Sequence, residues 1–411
     1  HDIHGRIIQR RIKMNALIRE KGGTFSLNKN EPIHRWYSYI EGYSSCLIAE
    51  ELKMLLSLQP DIKTIYDPFC GTGTTSLVAA THGIKSFYSE SNPFMQSVIE
   101  TKINCVRNLD QDTVIPKLIE YLTLINTIRV ENHSSWNGFE KFFGEKQLNE
   151  LLTIKGLIFK EDNESVKNIL ALALSSIVVK VSKMIRRGDL RYATEKEYRE
   201  ENVLECFADK VNEIIFDIQH HKSIIKCGTV KVSDDARDND YVNAFDCVIT
   251  SPPYLNGTNY IRNTKLELKL NDFITSESDL PRFHSKGIIA GINNVSKRTV
   301  IDTILPVVEP YLEQLQPVSY DDRIPKMVAG YFRDMDTVIQ KLSKSVKPGG
   351  LFTMDIGDSQ FAGVHIPTHQ ILSNICVQYG FSLYDEEILR KRRSKNGMIL
   401  TQRLLRYRLE K

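Results

Sequence analysis

One tetrapeptide, Ser251-Pro252-Pro253-Tyr254, combines residue types that could hold a planar base by its amino group. It follows an apolar run at residues 245–250, which predicts a buried strand. Because proline has no N–H group, the loop mainly offers acceptors: the Ser251 hydroxyl and the carbonyls of Ser251 and Pro252, beside the ring of Tyr254. Acceptors next to an aromatic surface suit a base with an exocyclic NH2 group. A rigid Pro-Pro turn with a half-buried tyrosine explains these residues equally well, so this loop alone does not decide between the two.

A second loop contains Gly71 and Gly73 and lies between a predicted strand at residues 63–66 and a predicted helix at residues 76–81. The glycines allow a tight turn and a close approach of backbone N–H groups to a ligand. No Gly-Lys-Ser/Thr follows, which excludes a P-loop, and Ser76 replaces the third small residue of a dinucleotide fingerprint. The next predicted strand, at residues 85–89, ends at Glu90, whose carboxylate can accept both hydroxyls of a ribose. This order predicts the first half of a nucleotide-binding unit; a turn that only joins strand to helix is the alternative.

The elements around these loops predict one doubly wound α/β sheet that is interrupted twice. Further strands are predicted at residues 224–229 and 351–356, with helices at residues 49–58 and 334–344. We therefore divide the chain into an N-terminal basic helix (1–32), three parts of a catalytic domain (33–109, 223–272 and 331–411), a large helical insertion (110–222) and a smaller second insertion (273–330).

Composition places the chain among ordinary globular proteins. Of its 411 residues, 41% are hydrophobic and 26% charged, which excludes a disordered tail, a fibrous repeat and a disulfide miniprotein. Lys and Arg exceed Asp and Glu by only 3, so net charge identifies no partner. The seven cysteines form no C-x-x-C pair, and no apolar run approaches the ~20 residues that a membrane helix needs. We expect a cytoplasmic protein, and we interpret the first residues, which lack Met and a signal core, as an artificial boundary.

Taken together, the two loops resemble those of the amino-group DNA methyltransferases that use S-adenosylmethionine. Further stretches resemble the same family in the same order, over roughly residues 33–105, 224–270 and 330 to the end. The resemblance implies a Rossmann-like class I methyltransferase sheet. One departure is Asn259, where aspartate is more frequent in relatives. The additional stretches are His34-Arg35-Trp36-Tyr37-Ser38-Tyr39 to Tyr43-Ser44, Ser233-Asp234-Asp235-Ala236-Arg237, Leu255 to Leu266, Val346-Lys347-Pro348-Gly349-Gly350 and Ile356-Gly357-Asp358-Ser359.

The resemblance also implies roles for individual residues. Ser251 and the Pro252 carbonyl would bind the target amino group, Pro253 would stiffen the loop, and Tyr254 would stack on the base. Glu90 would hold the ribose of S-adenosylmethionine. The target base would be flipped out of the duplex, and catalysis would need no metal. The other residues implied in cofactor binding are Tyr39, Tyr43, Asp67, Pro68, Phe69, Cys70, Gly71, Thr72, Gly73, Thr74, Asp235 (on the adenine) and Ala236.

The first residue of the catalytic loop bears on which base is modified. Serine there resembles the cytosine-N4 enzymes, whereas adenine-N6 enzymes more often have Asp or Asn, so we favour cytosine N4 with adenine N6 as the alternative. Cytosine-C5 chemistry is excluded because no Pro-Cys dipeptide occurs. RNA guanine-N2 methylation, methylation of protein glutamine amides, and a catalytically silent recognition subunit remain rival hypotheses.

We expect double-stranded DNA as a partner; a cognate restriction endonuclease or another defence-system subunit is a further candidate.

Three clusters of basic residues are candidates for contacts with DNA, and for each a solvated basic surface is the alternative. The first follows an apolar helix of the large insertion, where we expect Gly188 to break the helix. The second lies in the smaller insertion, at residues 282–298. The third is the basic run at residues 390–395. The predicted nucleic-acid contacts are Lys183, Arg186, Arg187, Arg191, Arg262, Arg392 and Arg393.

Overall fold

A seven-stranded sheet forms the centre of the computed structural model, which describes residues 22–39, 42–255, 259–394 and 396–410. The strand order is β5-β2-β1-β6-β7-β11-β10; only β11 runs antiparallel to its neighbours. This sheet confirms the predicted Rossmann-like class I methyltransferase fold. In chain order, the described strands are β1 (Thr64–Asp67), β2 (Lys85–Ser89), β3 (Met184–Arg187), β4 (Asp189–Tyr192), β5 (Thr229–Ser233), β6 (Phe245–Thr250), β7 (Val346–Gly357), β8 (Ser359–Phe361), β9 (Val364–Ile366), β10 (Phe381–Arg393) and β11 (Ile399–Leu409).

Helices flank the sheet and form two insertions. The described α-helices are α1 (Ser45–Leu58), α2 (Thr74–Thr81), α3 (Pro93–Glu100), α4 (Gln111–Thr127), α5 (Glu145–Phe159), α6 (Glu164–Ile177), α7 (Val203–His221), α8 (Tyr260–Asn263), α9 (Lys265–Leu270), α10 (Pro281–His284), α11 (Glu309–Leu315), α12 (Arg323–Ser345) and α13 (Thr368–Gln378). A π-helical turn (Thr101–Cys105) and a last α-turn (Val106–Asn108) continue α3. Among the described helices, none is both long and apolar enough to cross a membrane.

Both faces of the central strands are covered, which explains why most residues of β6 are apolar. All six residues of β6 are buried. Cys247 and Ile249 pack with α1, whereas Val248 packs on the opposite face with α12 and α13. Strands buried on both faces are mainly apolar rather than alternating. The two polar residues of β6, Asp246 and Thr250, form hydrogen bonds with neighbouring elements. The chain leaves β1 toward β2 on one side and returns as β6 on the other, so the carboxyl ends of β1 and β6 form the crevice where such sheets bind ligands.

The large insertion packs its helices α4 to α7 around one apolar core that also includes α3. Asp217 of α7 ties this insertion to the N-terminal motif: its carboxylate accepts hydrogen bonds from the backbone N–H of Ile33 (2.8 Å), the Trp36 indole (2.8 Å) and the Arg35 guanidinium. The N-terminal basic helix was predicted at residues 1–32. Residues 1–21 lie outside the described residues, and Phe25–Asn30 form a 3₁₀ helix.

Three sequence predictions are wrong in detail. Gly188 does not break a helix; it is the turn of the hairpin β3–β4, with a φ of 77° that favours glycine. The strand predicted at residues 224–229 is β5, which begins only at Thr229. The cause of this shift is Ile225, which is buried in the core of the helical insertion rather than in the sheet. The helix predicted at residues 334–344 is longer than predicted: α12 begins at Arg323 and already buries Met327.

Candidate active site

The glycine-rich loop and the Ser-Pro-Pro-Tyr loop both line one cavity of about 310 Å³ at the carboxyl ends of β1 and β6. All but three of the residues predicted to bind cofactor or act in catalysis line it. The exceptions are Asp67, Gly73 and Asp235. The predicted residues on the cavity wall are Tyr39, Tyr43, Pro68, Phe69, Cys70, Gly71, Thr72, Thr74, Glu90, Ala236, Ser251, Pro252, Pro253 and Tyr254.

Asp67 lies behind the cavity wall and joins its two loops. Its carboxylate accepts hydrogen bonds from the Phe69 N–H (3.0 Å), the Thr250 hydroxyl (2.6 Å) and the Tyr43 hydroxyl (3.0 Å). Thr250 is the residue before Ser251, so one buried carboxylate holds both the glycine-rich loop and the start of the catalytic loop. Burial raises the pKa of Asp67 above its ordinary value. Asp67 is therefore a positioning residue rather than a wall of the cavity.

The glycine-rich loop has the backbone that its sequence predicts. Gly71 and Gly73 both have positive φ, 54° and 82°. A Cβ at Gly73 would lie 3.1 Å from Ile99 of α3, whereas a Cβ at Gly71 would meet nothing within 4 Å. Gly73 also precedes the first residue of α2. The loop therefore lies directly over a helix N-terminus, with space beside Gly71 for a ligand.

Glu90 lies where β2 ends and is hydrogen-bonded by the loop it faces. Its carboxylate accepts the N–H of Gly71 and the N–H of Asn92, each at 2.8 Å. Burial raises the pKa of Glu90 to about 7, and the two backbone hydrogen bonds partly oppose that rise. A ligand that donates hydrogen bonds to this carboxylate would favour its ionised form.

The two aspartates after β5 have different surroundings. Asp235, the predicted adenine contact, pairs with Arg237, whose Nη2 donates at 2.6 Å. Asp234 lines the cavity instead, where Lys286 (2.6 Å) and Lys231 (3.0 Å) donate to its carboxylate. Ala236 also lines the cavity. Of these two aspartates, only Asp234 lines the cavity, so the predicted contact of Asp235 with adenine stays a prediction.

Tyr254 is held in position at three points. Its N–H donates to the Tyr260 hydroxyl (3.2 Å), its own hydroxyl donates to Asp355 (3.0 Å), and its ring packs on Gly357, where a Cβ would lie 3.2 Å from the ring. Gln402 Nε2 donates to both carboxylate oxygens of Asp355, at 2.9 and 3.0 Å. Burial raises the pKa of Asp355 to about 7. The aromatic surface beside Ser251 is thus rigid, as a stacking surface requires.

Sequence reasoning missed Asp355 and Gln402. A signal for Asp355 exists in β7, where one carboxylate interrupts the apolar residues Phe352, Met354 and Ile356. Gln402 carries no comparable signal, because its position depends on the pairing of Gln402 in β11 with Gly357 at the end of β7. Asn259, the departure noted above, caps α8: its side chain accepts the N–H of Arg262 at 2.9 Å.

Of the predicted DNA contacts, Arg186 is wrong. Its side chain is only 9% exposed, and its guanidinium binds Glu267 (2.6 Å) and the Asn263 carbonyl (2.6 Å). Because Glu267 is also buried, this ion pair fixes the hairpin β3–β4 to the segment after the catalytic loop instead of facing solvent.

The other predicted contacts are exposed, but their surroundings differ. Arg187 and Arg191 of the hairpin β3–β4 both pair with Glu197, at 3.4 and 2.9 Å. The remaining predicted DNA contacts, all of them exposed, are Lys183, Arg262, Arg392 and Arg393. Arg392 also lines the cavity.

Comparison with known proteins finds relatives that match nearly the whole chain, although no protein-family model matches it. The chain is 24% identical over 422 residues to the Type II methyltransferase M.AvaI of Nostoc sp. (strain PCC 7120 / SAG 25.82 / UTEX 2576), covering 92% of this chain and 85% of that protein. It is 26% identical over 445 residues to the Type II methyltransferase M.BsoBI of Geobacillus stearothermophilus, covering 91% and 83%. It is 23% identical over 413 residues to the Type II methyltransferase M.MvaI of Kocuria varians, covering 91% and 88%. These homologues are all Type II methyltransferases.

Proposed function

We propose that the protein is a DNA methyltransferase that transfers a methyl group from S-adenosylmethionine to the N4 amino group of a flipped-out cytosine. The observation that carries this proposal is the convergence of the glycine-rich loop and the Ser-Pro-Pro-Tyr loop on one cavity. The similarity to Type II methyltransferases over nine-tenths of the chain supports the same reaction class.

The chain fits the cofactor at the glycine-rich end of the cavity. Glu90 presents a carboxylate that can accept both ribose hydroxyls, and the space beside Gly71 admits a ligand close to the backbone. Asp234 lines the same cavity at the end of β5, where an acceptor could meet the amino group of adenine. S-adenosylmethionine supplies an electrophilic methyl group, so the protein need mainly align the nucleophile.

The Ser-Pro-Pro-Tyr end of the cavity suits the base. The Ser251 hydroxyl and the Pro252 carbonyl accept hydrogen bonds from the two N–H groups of an exocyclic amino group. These contacts direct the nitrogen lone pair toward the glycine-rich loop. Tyr254 stacks on the base, and its contacts with Asp355 and Gly357 hold the ring in place. A base inside a duplex cannot reach this cavity, so it must flip out of the helix. No step uses a cysteine nucleophile.

Cytosine N4 is the proposed target because serine begins the catalytic loop; adenine N6 is the alternative. An intact loop disfavours a silent recognition subunit, and Type II homologues disfavour an RNA or protein substrate. We further propose that residues 110–222 and 273–330 include the DNA-reading surfaces, with the exposed Lys183, Arg187 and Arg191 of the large insertion among the contacts. The exposed Arg262, which follows the catalytic loop, is a further proposed contact. A cognate restriction endonuclease is the partner in function that this assignment implies.

Transfer of labelled methyl groups from S-adenosylmethionine to plasmid DNA tests the proposal. The variants Ser251→Ala and Tyr254→Ala should lower incorporation at least about 100-fold while leaving cofactor affinity within about threefold, because both residues contact the base rather than the cofactor. Tyr241→Ala is a matched control: this tyrosine precedes β6 at the opposite edge of the sheet and is 38% exposed. Near-normal turnover in either loop variant would contradict the catalytic assignment.

A further inference from the structure

The hairpin β10–β11 is longer than the sheet to which it belongs. Pairing between β11 and β7 ends where Gln402 meets Gly357, the last residue of β7. Pairing between β10 and β11 continues for three further residue pairs, as far as Arg393 with Ile399. Since β7 runs parallel to β6, its last residue lies at the carboxyl edge of the sheet. The tip of the hairpin therefore projects beyond that edge, on the side where the candidate active site lies.

The side chains of the basic run at residues 390–393 lie on two faces of the hairpin. Arg390 and Arg392 line the active-site cavity, as does Gln402, the partner of Arg390 in the ladder. Lys391 and Arg393 are exposed but are not part of the cavity wall. Side chains alternate along a strand, so residues two apart share a face at a spacing of about 6.7 Å. Arg390 and Arg392 thus form a pair of guanidinium groups over the mouth of the cavity.

The surroundings of the cavity-facing pair differ from those of the other arginines in the hairpin. Within the described part of the chain, no carboxylate forms an ion pair with Arg390 or Arg392. Arg392 donates a hydrogen bond to the backbone carbonyl of Asp358, at 3.2 Å. Nearer the sheet, the same hairpin does pair its arginines: Arg403 with Glu386, and Arg406 with Glu51 and other acids. A guanidinium group without a carboxylate partner can bind a phosphate through two parallel N–H···O hydrogen bonds.

We propose that Arg390 and Arg392 bind the two phosphates that flank the target nucleotide and so hold it in the flipped position. This inference rests on the proposed function. A base that enters the cavity as far as Tyr254 brings its own backbone phosphates to the cavity mouth, where these two side chains lie. Lys391 and Arg393, on the other face, contribute only general attraction to DNA. The other anion available to the pair is the carboxylate of the cofactor, which the experiment distinguishes from phosphate.

The test compares two double variants with the same change in charge, Arg390→Ala/Arg392→Ala and Lys391→Ala/Arg393→Ala. The substrate is a duplex containing the recognition sequence, identified from methylated plasmid DNA. The cavity-facing variant should lose about 100-fold or more in kcat/KM for DNA, because two charge-assisted hydrogen-bonded contacts are removed. The other variant should lose less than about tenfold. Cofactor affinity, measured by calorimetry, should change less than twofold in both, and thermal unfolding checks that both are folded.

Uncharged methylphosphonate linkages at the two phosphates that flank the target nucleotide test the contact directly. The methylphosphonate substitution should lower kcat/KM for DNA in the wild-type protein and in the Lys391/Arg393 variant. It should cause no further loss of kcat/KM in the Arg390/Arg392 variant, because the contact with the phosphates is already absent there. Fully additive losses, or equal losses for the two double variants, would overturn the inference. Weakened cofactor binding with unchanged sensitivity to methylphosphonate would overturn it as well, in favour of the cofactor carboxylate. Absence of methyl transfer to DNA by the wild-type protein would instead contradict the proposed function.

Discussion

The pKa of Glu90 predicts how cofactor affinity depends on pH. Burial raises this pKa to about 7, so the carboxyl group without ligand is mostly protonated below that pH. Ribose hydroxyls donate hydrogen bonds to the ionised carboxylate, which means that cofactor binding favours ionisation and lowers the pKa. Affinity should therefore rise as pH increases through about 7 and fall as pH decreases below it.

The magnitude follows from the fraction of protein that is competent to bind. With a pKa of about 7, roughly one-tenth of the Glu90 side chains are ionised at pH 6 and roughly nine-tenths at pH 8. The apparent Kd for S-adenosylmethionine should therefore be about tenfold higher at pH 6 than at pH 8. Calorimetry across this range measures it, with S-adenosylhomocysteine as a ligand that cannot transfer a methyl group.

The variant Glu90→Gln should weaken cofactor binding by about 10- to 100-fold at pH 8, since charge-assisted hydrogen bonds are each worth about 1.5–3 kcal/mol. It should also flatten the pH profile. Glu100→Gln is a matched control, because Glu100 accepts a hydrogen bond from Tyr88 (2.8 Å) at the end of α3 and does not line the cavity. A wild-type profile that is flat from pH 6 to pH 8, or one that persists in the Glu90→Gln variant, would refute the reasoning.

Three further experiments test the framework of the site. Burial raises the pKa of Asp355 to about 7, so ionisation of this carboxyl group destabilises the fold as pH rises. The variant Asp355→Asn cannot ionise, and it should increase the free energy of unfolding by up to about 4 kcal/mol at pH 8 and by almost nothing at pH 4. Denaturant titrations at both pH values measure this difference. Arg186→Met leaves a buried glutamate unpaired and should cost about 3–5 kcal/mol in the same assay, against about 0–1 kcal/mol for Arg187→Met on the exposed face; equal effects would contradict the burial of the pair. Gly73→Ala should lower thermal stability more than Gly71→Ala, which should instead weaken cofactor binding, because only at Gly73 would the added methyl group crowd a neighbouring helix.

The central sheet and the two loops were predictable because their signals are local. A continuous apolar run predicts β6, and glycines with an acid after the next strand predict the turn between β1 and α2 and the position of Glu90. These features depend on residues close together in the chain, so the pattern of residue types is sufficient to recognise them.

The features that the sequence did not reveal depend on long-range packing. β10 has seven charged residues among thirteen and is exposed on both sides, so it lacks the alternation that predicts a strand. The Asp355–Gln402 contact requires the register of β11 on β7. The burial of Arg186 depends on Glu267, 81 residues later. Asp234 and Asp235 are adjacent, and only the backbone at the end of β5 decides which one lines the cavity.

The identity of the modified base tests the central claim most directly. Plasmid DNA would be incubated with the protein and S-adenosylmethionine carrying a deuterated methyl group, digested to nucleosides and analysed by mass spectrometry. Labelled N4-methylcytosine is the predicted product, and Tyr254→Ala should abolish it. Labelled N6-methyladenine would contradict the assignment of the base to cytosine but keep the reaction at an amino group. DNA without any labelled base would contradict the proposal that this cavity methylates DNA.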